Sequence, residues 1–553
     1  MEKIKFRRRL TVIAGLAALA QALFLWTEWH GNPFAQLPVE DAQVYWDWAA
    51  RIADGHWVSE TPFLSAPLYP FFLGILRTIG LDLPGVYVVQ ALCHVGTLIL
   101  IALIGRLRFG PAAGITAAVF FLLLPEAAYM TGRTLNGSLQ LLTIAALLYG
   151  AVRTQCKPWN QPTIKLGALA GIATLANPTL LIALPFLAWW LGRGKILRFL
   201  ATAAICIAPA TVHNYLAVGE FIPISAQAGV TFVHGNAPGA HGIYQPIPGI
   251  SAGRLQQNAD AFETARAATG ISSWSNTSSY FLRRGLGWMM ENPGAAAGLL
   301  AKKMRWFFLG QNYGDVYLPQ LEKQNGISGL PFFLFLPLVF LLPLAFLGAF
   351  RLWRADGRRA LPELLLFLLP IVVVFIFWYS PRYRLPIIPP AVLLAAWALT
   401  RTPPRFYSVP GILLGALAWL LPAWVGFDSP QLYRPQFEHS LGSTLRVLQK
   451  PQLAIPHLQR AIELGYDQPA THYHLAQAHM ALENWDDAVA ELKSTTQSAP
   501  NHQEAWENLG AILAWQKDLV GARTAWLEAL HLAEIRNDQN SIQRIQQRLL
   551  GEP

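Results

Sequence analysis

The sequence predicts an all-α protein, with a polytopic helical membrane domain of about 11 spans followed by a solenoid of helical repeats. Of the 553 residues, 53% are hydrophobic and 13% are charged, against about 25% charged in a typical soluble domain. The apolar residues fall into repeated blocks near the ~20 residues that span a bilayer. The C-terminal region instead repeats with a period of about 34 residues.

The apolar blocks are the candidate spans. They lie at about 10–29, 84–104, 111–130, 135–152, 164–177, 178–191, 198–217, 331–350, 361–379, 385–400 and 406–426. The two blocks on either side of Asn177-Pro178 are the shortest. The first block follows the basic residues of 1–10, and its length of about 20 residues predicts an uncleaved signal anchor.

The positive charges indicate the topology. Most Lys and Arg residues of the short loops fall in alternate loops, so the N-terminus is expected in the cytoplasm. An odd number of spans then places three regions outside the cytoplasm: outer loops at about 30–83 and 218–330, and the repeats. The net charge of +10 is explained by this pattern, and no nucleic-acid-binding motif is present. The expected domains are 1–427 in the membrane and 428–553 outside it.

The first outer loop is expected to begin with an amphipathic helix from Asp41 to Trp57 that lies along the membrane interface. The apolar stretch from Pro62 to Gly80 contains three prolines and is not expected to be a span.

The repeats are predicted from matching positions. Leu441, Leu475 and Leu509 are one period apart, and Gly442, Ala476 and Gly510 follow them directly. This pattern resembles tetratricopeptide repeats at about 435–468, 469–502 and 503–536, with a capping helix at 538–549. A solenoid of this kind offers a concave surface to a peptide or a partner protein.

The acidic pair Glu40-Asp41 is the first candidate for chemistry. Two adjacent carboxylates at a membrane exit suit a general base or a metal ligand. Alternatively, Asp41 caps the helix that follows, and the two interpretations are compatible. The three cysteines have no metal-binding spacing, and the sequence contains no Gly-rich phosphate loop, HExxH or GxSxG motif.

Basic residues in the outer regions are the second candidate. Arg382 and Arg384 flank Tyr383 in a short outer loop, where guanidinium groups suit a phosphate. The alternative is that these arginines anchor the loop non-specifically to lipid phosphates. The same two interpretations apply to Lys303. Glu126 and Arg133 are secondary candidates because they lie at span edges.

Several segments together resemble the GT-C glycosyltransferases, and most closely the protein O-mannosyltransferase and aminoarabinose-transferase-like group. The resemblance covers about 30–400. It is carried by the segments 40–49, 63–70, 171–178, 208–215 with 223–225 and 235–236, and 382–389.

The resemblance implies transfer of a sugar from a polyprenyl-phosphate carrier to an acceptor outside the cytoplasm, in the bacterial inner membrane. Asp41 matches the family's proposed base, with Glu40 beside it. The positions implied to bind substrate are Arg382, Tyr383, Arg384, Lys303, Tyr45, Tyr69 and Asn236. His213 and Gln311 depart from the family pattern, in which Arg and an acid are common at those places. No metal ligand is assigned, and a divalent metal is left open.

Two further functions remain open. One is a non-catalytic membrane scaffold that presents the repeats to a protein assembly. The other is a flippase or transporter, which is disfavoured because few polar groups lie within the apolar blocks. In the glycosyltransferase interpretation the expected partners are the bilayer, the lipid-linked donor, and an acceptor or partner protein bound by the repeats.

Overall fold

The computed structural model describes residues 2–156, 160–245, 247–250, 254–309, 317–329, 336–401 and 433–550. The chain divides into two compact units, Met1–Phe427 and Asp428–Pro553, which are described separately. Both units are helical, and the described residues contain no strand beyond an isolated bridge between Ile243 and Tyr379.

The first half of unit 1 is built from helices that begin mostly at Pro, Asp or Gly, residues that favour helix starts and turns. They are α1 (Glu2–Gly31), α2 (Pro33–Gln36), α3 (Asp41–Ala53), α4 (Leu68–Thr78), α5 (Leu83–Arg108), α6 (Pro111–Leu122), α7 (Pro125–Tyr129), α8 (Gly137–Cys156), α9 (Pro162–Ala176), α10 (Leu184–Leu191) and α11 (Ile196–Val218). The observed α3 matches the expected interfacial helix, although it ends four residues earlier.

The second half of unit 1 contains a group of shorter helices followed by long apolar helices. The helices are α12 (Ala228–His234), α13 (Arg254–Thr269), α14 (Trp274–Glu291), α15 (Pro293–Leu309), α16 (Pro319–Gln324), α17 (Leu338–Asp356), α18 (Leu361–Ile376), α19 (Pro381–Arg384) and α20 (Ile388–Arg401).

Among the described residues, five helical stretches are long and apolar enough to cross a membrane. They are Glu2–Gly31, Leu83–Arg108, Arg193–Val218, Leu338–Ile376 and Pro381–Arg401. The pair Pro111–Leu122 and Pro125–Gly132, bent by 59°, brings the number to six if it is one span. The expected count of about 11 is therefore not confirmed, and the candidate span at 406–426 lies outside the described residues.

The two short apolar blocks around Asn177 do not form two full spans. α9 has 15 residues and α10 has 8, whereas a span needs about 20. Asn177 between them has extended backbone (φ −144°, ψ 92°) because the following Pro178 disfavours the helical conformation at the residue before it.

Glycine allows the long helices to approach closely. A Cβ atom at Gly105 of α5 would lie 2.6 Å from the Cα atom of Gly114 in α6. Such small residues are typical where helices pack within a membrane, because no hydrophobic effect drives association there.

Unit 2 consists of three helix pairs and a final helix. The helices are α21 (Arg434–Val447), α22 (Pro451–Glu463), α23 (Pro469–Ala481), α24 (Trp485–Ser498), α25 (Gln503–Trp515), α26 (Leu519–Ile535) and α27 (Gln539–Leu550). The matching positions of the period are buried where paired helices meet: Leu441, Leu475 and Leu509 are each at most 4% exposed. Ile545 of α27 packs on Ala529 and Ala533 and closes the stack, as the capping helix was expected to do.

Candidate functional site

The predicted acid and the predicted arginine meet in an ion pair. Asp41 is the first residue of α3, and Arg382 lies in the single turn of α19. The Asp41 Oδ2 atom is 2.6 Å from the Arg382 Nη1 atom. The Asp41 side chain is 15% exposed and the Arg382 side chain is 27% exposed, so the pair is partly shielded from solvent. A hydrogen-bonded pair of this length is a strong, charge-assisted contact.

The backbone at Glu40 is unusual. Its φ is 51° and its ψ is −122°, a conformation that L-residues rarely adopt. The prediction that Asp41 caps α3 was wrong by one residue: Glu40 takes the capping position, and its side chain makes no capping hydrogen bond. Asp41 instead sits in the first turn, where the helix dipole still favours its negative charge. Strain of this kind is often found at functional sites.

The two arginines of α19 contact different partners. Ser380 starts the turn, and its hydroxyl accepts a hydrogen bond from the Arg382 backbone N–H at 3.1 Å. Arg384 is buried, donates to the Phe307 carbonyl at 3.3 Å and lies 3.8 Å from Glu126 Oε1. These contacts hold Arg384 inside the protein, whereas Arg382 contacts Asp41.

Lys303 and Asn236 also lie together, at the end of α18. The Lys303 Nζ atom donates to Asn236 Oδ1 at 2.7 Å and to the Phe375 carbonyl at 3.2 Å. Asn236 in turn donates to the Ile376 carbonyl at 2.8 Å. Both side chains therefore satisfy carbonyls that the helix end leaves without intrahelical partners. A cation here is also favoured by the helix dipole.

Lys303 is fully buried, and no carboxylate lies within ion-pair distance of it among the residues that the structure describes. Burial lowers the pKa of Lys303 from 10.5 to about 7, because the charged form loses its hydration. The predicted contact of Lys303 and Asn236 with substrate stays a prediction.

Tyr45 and Tyr69 contact each other inside the first outer loop. Their rings pack edge to face with centroids 5.1 Å apart. Tyr69 is fully buried and donates to Gln90 Oε1 of α5 at 2.8 Å. Together they fix α3 and α4 against α5, and their contact with substrate stays a prediction. Tyr383 packs on Trp378 at 5.0 Å.

A buried charge network lies next to the chain that leads into Asp41. Arg133 donates to Glu28 Oε2 and to Glu322 Oε2, each at 2.6 Å, and all three side chains are essentially inaccessible. Asn32 donates to both carboxylates at 2.9 Å. Tyr129 donates a short hydrogen bond to Glu322. The network joins α1, the segment after α7, and α16.

The network also holds the segment from 32 to 39. Besides its bonds to the two acids, Asn32 accepts from the Phe34 N–H at 3.0 Å. The Phe34 ring lies 5.9 Å from the Tyr317 ring. Tyr87 donates to the Ala35 carbonyl at 2.9 Å. The start of α3 is therefore positioned by contacts made up to nine residues earlier.

Sequence reasoning singled out Arg133 and Glu126 but missed Glu28, Asn32 and Glu322. The sequence does contain a signal for Glu28, because it is a carboxylate within the apolar first helix, and ionisable groups at membrane depth are functional or paired. Glu322 gave no comparable signal, since it lies in a polar stretch of the outer loop.

His213 ties the first outer loop to α11. Its Nε2 atom accepts from the Ser59 N–H at 3.1 Å, and the neighbouring Asn214 accepts from the Phe63 N–H at 2.8 Å. In this structure, His213 therefore holds the segment around Ser59 against α11. Gln311, the other departure, lies outside the described residues. Within the described ranges, no group of three or more His, Cys, Asp and Glu side chains is arranged to hold a metal ion.

Comparison with known protein sequences gives two results. A family model described as tetratricopeptide repeat matches residues 439–494 and 473–538. A sequence search of curated proteins found no significant match.

Solved structures of two kinds of protein are similar in fold. ArnT from Cupriavidus metallidurans bound to undecaprenyl phosphate is 15% identical, with a TM-score of 0.39, over 90% of this chain and 80% of that one. The apo form of the same protein gives 15% identity and a TM-score of 0.37, over 86% and 76% of the two chains. The oligosaccharyltransferase of Archaeoglobus fulgidus, with zinc and sulfate, is 13% identical with a TM-score of 0.41; the matched region is 77% of this chain and 55% of that one.

These structures are of the GT-C kind that the sequence resemblance named. TM-scores below 0.5 leave the likeness too weak to carry a functional argument, so the proposals below depend on side-chain geometry. The C-terminal unit, in contrast, is matched directly by its sequence: it consists of tetratricopeptide repeats.

Proposed function

We propose that the protein is an integral-membrane glycosyltransferase that moves a sugar from a polyprenyl-phosphate donor to an acceptor outside the cytoplasm. The observation that carries the proposal is the Asp41–Arg382 pair, with 2.6 Å between the Asp41 Oδ2 and Arg382 Nη1 atoms. It unites a candidate base with a candidate phosphate ligand, the two groups that such a transfer needs.

In the proposed reaction the acceptor hydroxyl oxygen attacks the anomeric carbon of the donor sugar. The bond from that carbon to the phosphate oxygen breaks, and the polyprenyl phosphate leaves with the electron pair. Asp41 takes the hydroxyl proton, and Arg382 binds the phosphate oxygens, on which negative charge develops. Atoms and charges balance without a further reactant.

The ion pair also gives an order of events. While Arg382 is bound to Asp41, the carboxylate oxygen that would accept a proton is occupied. A donor phosphate is a stronger bidentate partner for a guanidinium group than a single carboxylate oxygen. Binding of the donor would therefore draw Arg382 away and free Asp41 for the acceptor. Arg384, Lys303 and Asn236 would hold the surrounding segments in place.

The test is transfer of radiolabelled sugar from a polyprenyl-phosphate donor in membranes that contain the full chain. Asp41→Asn is expected to lower transfer at least 100-fold, because general base catalysis contributes about 10²–10⁴-fold. Glu40→Gln separates the two acids, and Asp54→Asn, which changes an exposed acid just beyond the other end of α3, is the matched control. Transfer at the wild-type rate by both Asp41→Asn and Glu40→Gln would refute the proposed base.

A second candidate is a non-catalytic scaffold that presents the repeats to a protein assembly. It is favoured by the match of residues 439–538 to tetratricopeptide repeats, which bind partner proteins. Affinity capture with the membrane-embedded full chain distinguishes the two. A stoichiometric partner together with undetectable transfer from any donor would favour the scaffold.

A further inference from the structure

A cluster of aromatic rings lies beside the Asp41–Arg382 pair. The Trp378 and Tyr383 ring centroids are 5.0 Å apart, and the Tyr244 and Trp378 centroids are 5.5 Å apart. Both contacts are tilted, by 60° and 59°, so these rings do not cover one another's faces completely. Tyr383 directly follows Arg382, which places one edge of the cluster next to the proposed phosphate ligand.

The segments that carry these rings are held firmly together. The Tyr379 N–H donates to the Gly242 carbonyl at 2.8 Å, which joins the outer segment to the end of α18. A Cβ atom at Gly235 would lie 2.1 Å from the Phe377 carbonyl oxygen, so only glycine permits this approach. The Tyr244 hydroxyl accepts from Gln257 Nε2 at 2.6 Å, which fixes that ring.

Among the residues that the structure describes, one polar atom of Trp378 and one of Gln245, the residue after Tyr244, have no hydrogen-bond partner. The Trp378 indole N–H is a buried donor, in a side chain that is 5% exposed, and the Gln245 Oε1 atom is a buried acceptor. Such atoms are rare in native proteins, because a polar atom that loses its hydrogen bonds to water and gains none in the protein destabilises the folded state. A ligand with hydroxyl groups would satisfy both, because each hydroxyl can accept one hydrogen bond and donate another.

We propose that Trp378, Tyr383 and Tyr244 form the subsite that holds the sugar ring of the lipid-linked donor. The inference rests on the proposed function, because Arg382 must hold the phosphate for the attached sugar to reach these rings. A sugar combines C–H faces, which pack on aromatic rings, with hydroxyls for Trp378 and Gln245. A lipid tail would leave the indole N–H unsatisfied, so the chemistry favours a carbohydrate.

The test uses the full chain in lipid nanodiscs and measures binding of short-chain prenyl phosphate, alone and linked to a pentose, a hexose or an N-acetylhexosamine. At least one conjugate is expected to bind about 10-fold more tightly than the bare prenyl phosphate, equivalent to roughly one or two good hydrogen bonds. Trp378→Phe keeps a ring but removes the N–H, and should abolish most of that advantage without changing affinity for the bare phosphate. Trp353→Phe, at an exposed tryptophan of α17, is the matched control.

The possible outcomes separate the inference from the proposed function. If bare prenyl phosphate binds and Arg382→Gln abolishes this binding, but no conjugate has an advantage, the sugar subsite alone is overturned. An advantage that survives both Trp378→Phe and Gln245→Ala also overturns the subsite. If neither the bare phosphate nor any conjugate binds the wild-type protein, or if binding is insensitive to Arg382→Gln, the proposed donor site itself fails. A variant that has lost its wild-type melting transition is replaced by Gln245→Ala, at a half-buried residue.

Discussion

The Asp41 carboxylate and the Arg382 guanidinium are 2.6 Å apart, although 341 residues separate them in the sequence. One belongs to the helix that opens the first outer loop, and the other to the turn before the last described apolar helix. Their contact joins the two segments that sequence analysis had identified independently. In the proposed reaction, the pair opens before Asp41 takes the proton of the acceptor hydroxyl.

Replacement of Arg382 is expected to weaken donor binding without unfolding the protein. Because Arg382 is partly exposed, its replacement should leave the fold intact. Arg382→Gln should raise the Kd for prenyl phosphate about 10- to 100-fold, because a charge-assisted bidentate contact is lost. Arg382→Lys should lose part of this affinity, since an ammonium group cannot form the bidentate contact. Calorimetric titration in nanodiscs measures both. Equal affinity in all three proteins would contradict the role of Arg382.

The backbone at Glu40 predicts a difference between two substitutions that both remove its carboxylate. Glycine accepts φ 51° and ψ −122° more readily than alanine, so Glu40→Gly should be more stable than Glu40→Ala by about 1 kcal/mol. Thermal unfolding in detergent, followed by tryptophan fluorescence, gives the comparison. Because both variants lack the side chain, any contact of Glu40 cancels. Equal stability would mean that the segment relaxes around residue 40.

In the buried network around Arg133, removal of the cation alone should destabilise the protein more than removal of the cation and both acids together. Arg133→Met leaves Glu28 and Glu322 buried without their cation, and should destabilise the protein by about 3–5 kcal/mol. Adding Glu28→Gln and Glu322→Gln removes the unpaired charges and should restore much of that loss. Thermal unfolding of the single and triple variants measures the recovery. A triple variant less stable than Arg133→Met would refute this account.

Lys303 predicts that stability rises with pH above neutrality. Its pKa is about 7 in the folded protein and 10.5 when unfolded, so between these values the unfolded state binds a proton that the folded state does not. The free energy of unfolding therefore increases with pH across this window. Lys303→Met should remove this increase, and Lys302→Met, at the exposed neighbour, should keep it. The melting temperature from pH 6.5 to 10 provides the check, and an unchanged slope in Lys303→Met would contradict the prediction.

In the repeats, His472 predicts the opposite pH dependence, because its contribution to stability falls as the pH rises. Burial lowers the pKa of His472, but its hydrogen bonds with Glu491 and with Asp467, the latter at 2.7 Å, outweigh burial and raise the pKa above 6.5. The stabilisation is thus complete below pH 6.5 and is lost as pH rises through the raised pKa. His472→Gln should speed hydrogen exchange in α23 and α24 at pH 6 but not at pH 9. His531→Gln, at an exposed histidine, is the control; equal effects at both pH values would argue against this ion pair.

Much of the fold was readable from local patterns. The helix that begins at Asp41, the short helix in place of a span at 62–80, and the repeats were predicted because each depends on periodicity or on proline within a short window. The span count of about 11 is not confirmed, since five or six stretches of the described residues are long and apolar enough to cross a membrane. The interpretation of Asp41 as a cap was off by one residue because the backbone conformation of Glu40 is not encoded in residue type.

The sequence by itself determined which residues could do chemistry: a carboxylate pair, two arginines on either side of a tyrosine, and a lysine in a basic cluster near the end of an amphipathic helix. The tertiary structure alone decided their partners. It pairs Asp41 with Arg382, turns Arg384 inward to Glu126 and places Lys303 on the end of α18. The reason is physical: helix formation depends on neighbours within a few residues, whereas a hydrogen bond between side chains depends on the packing of helices far apart in the chain.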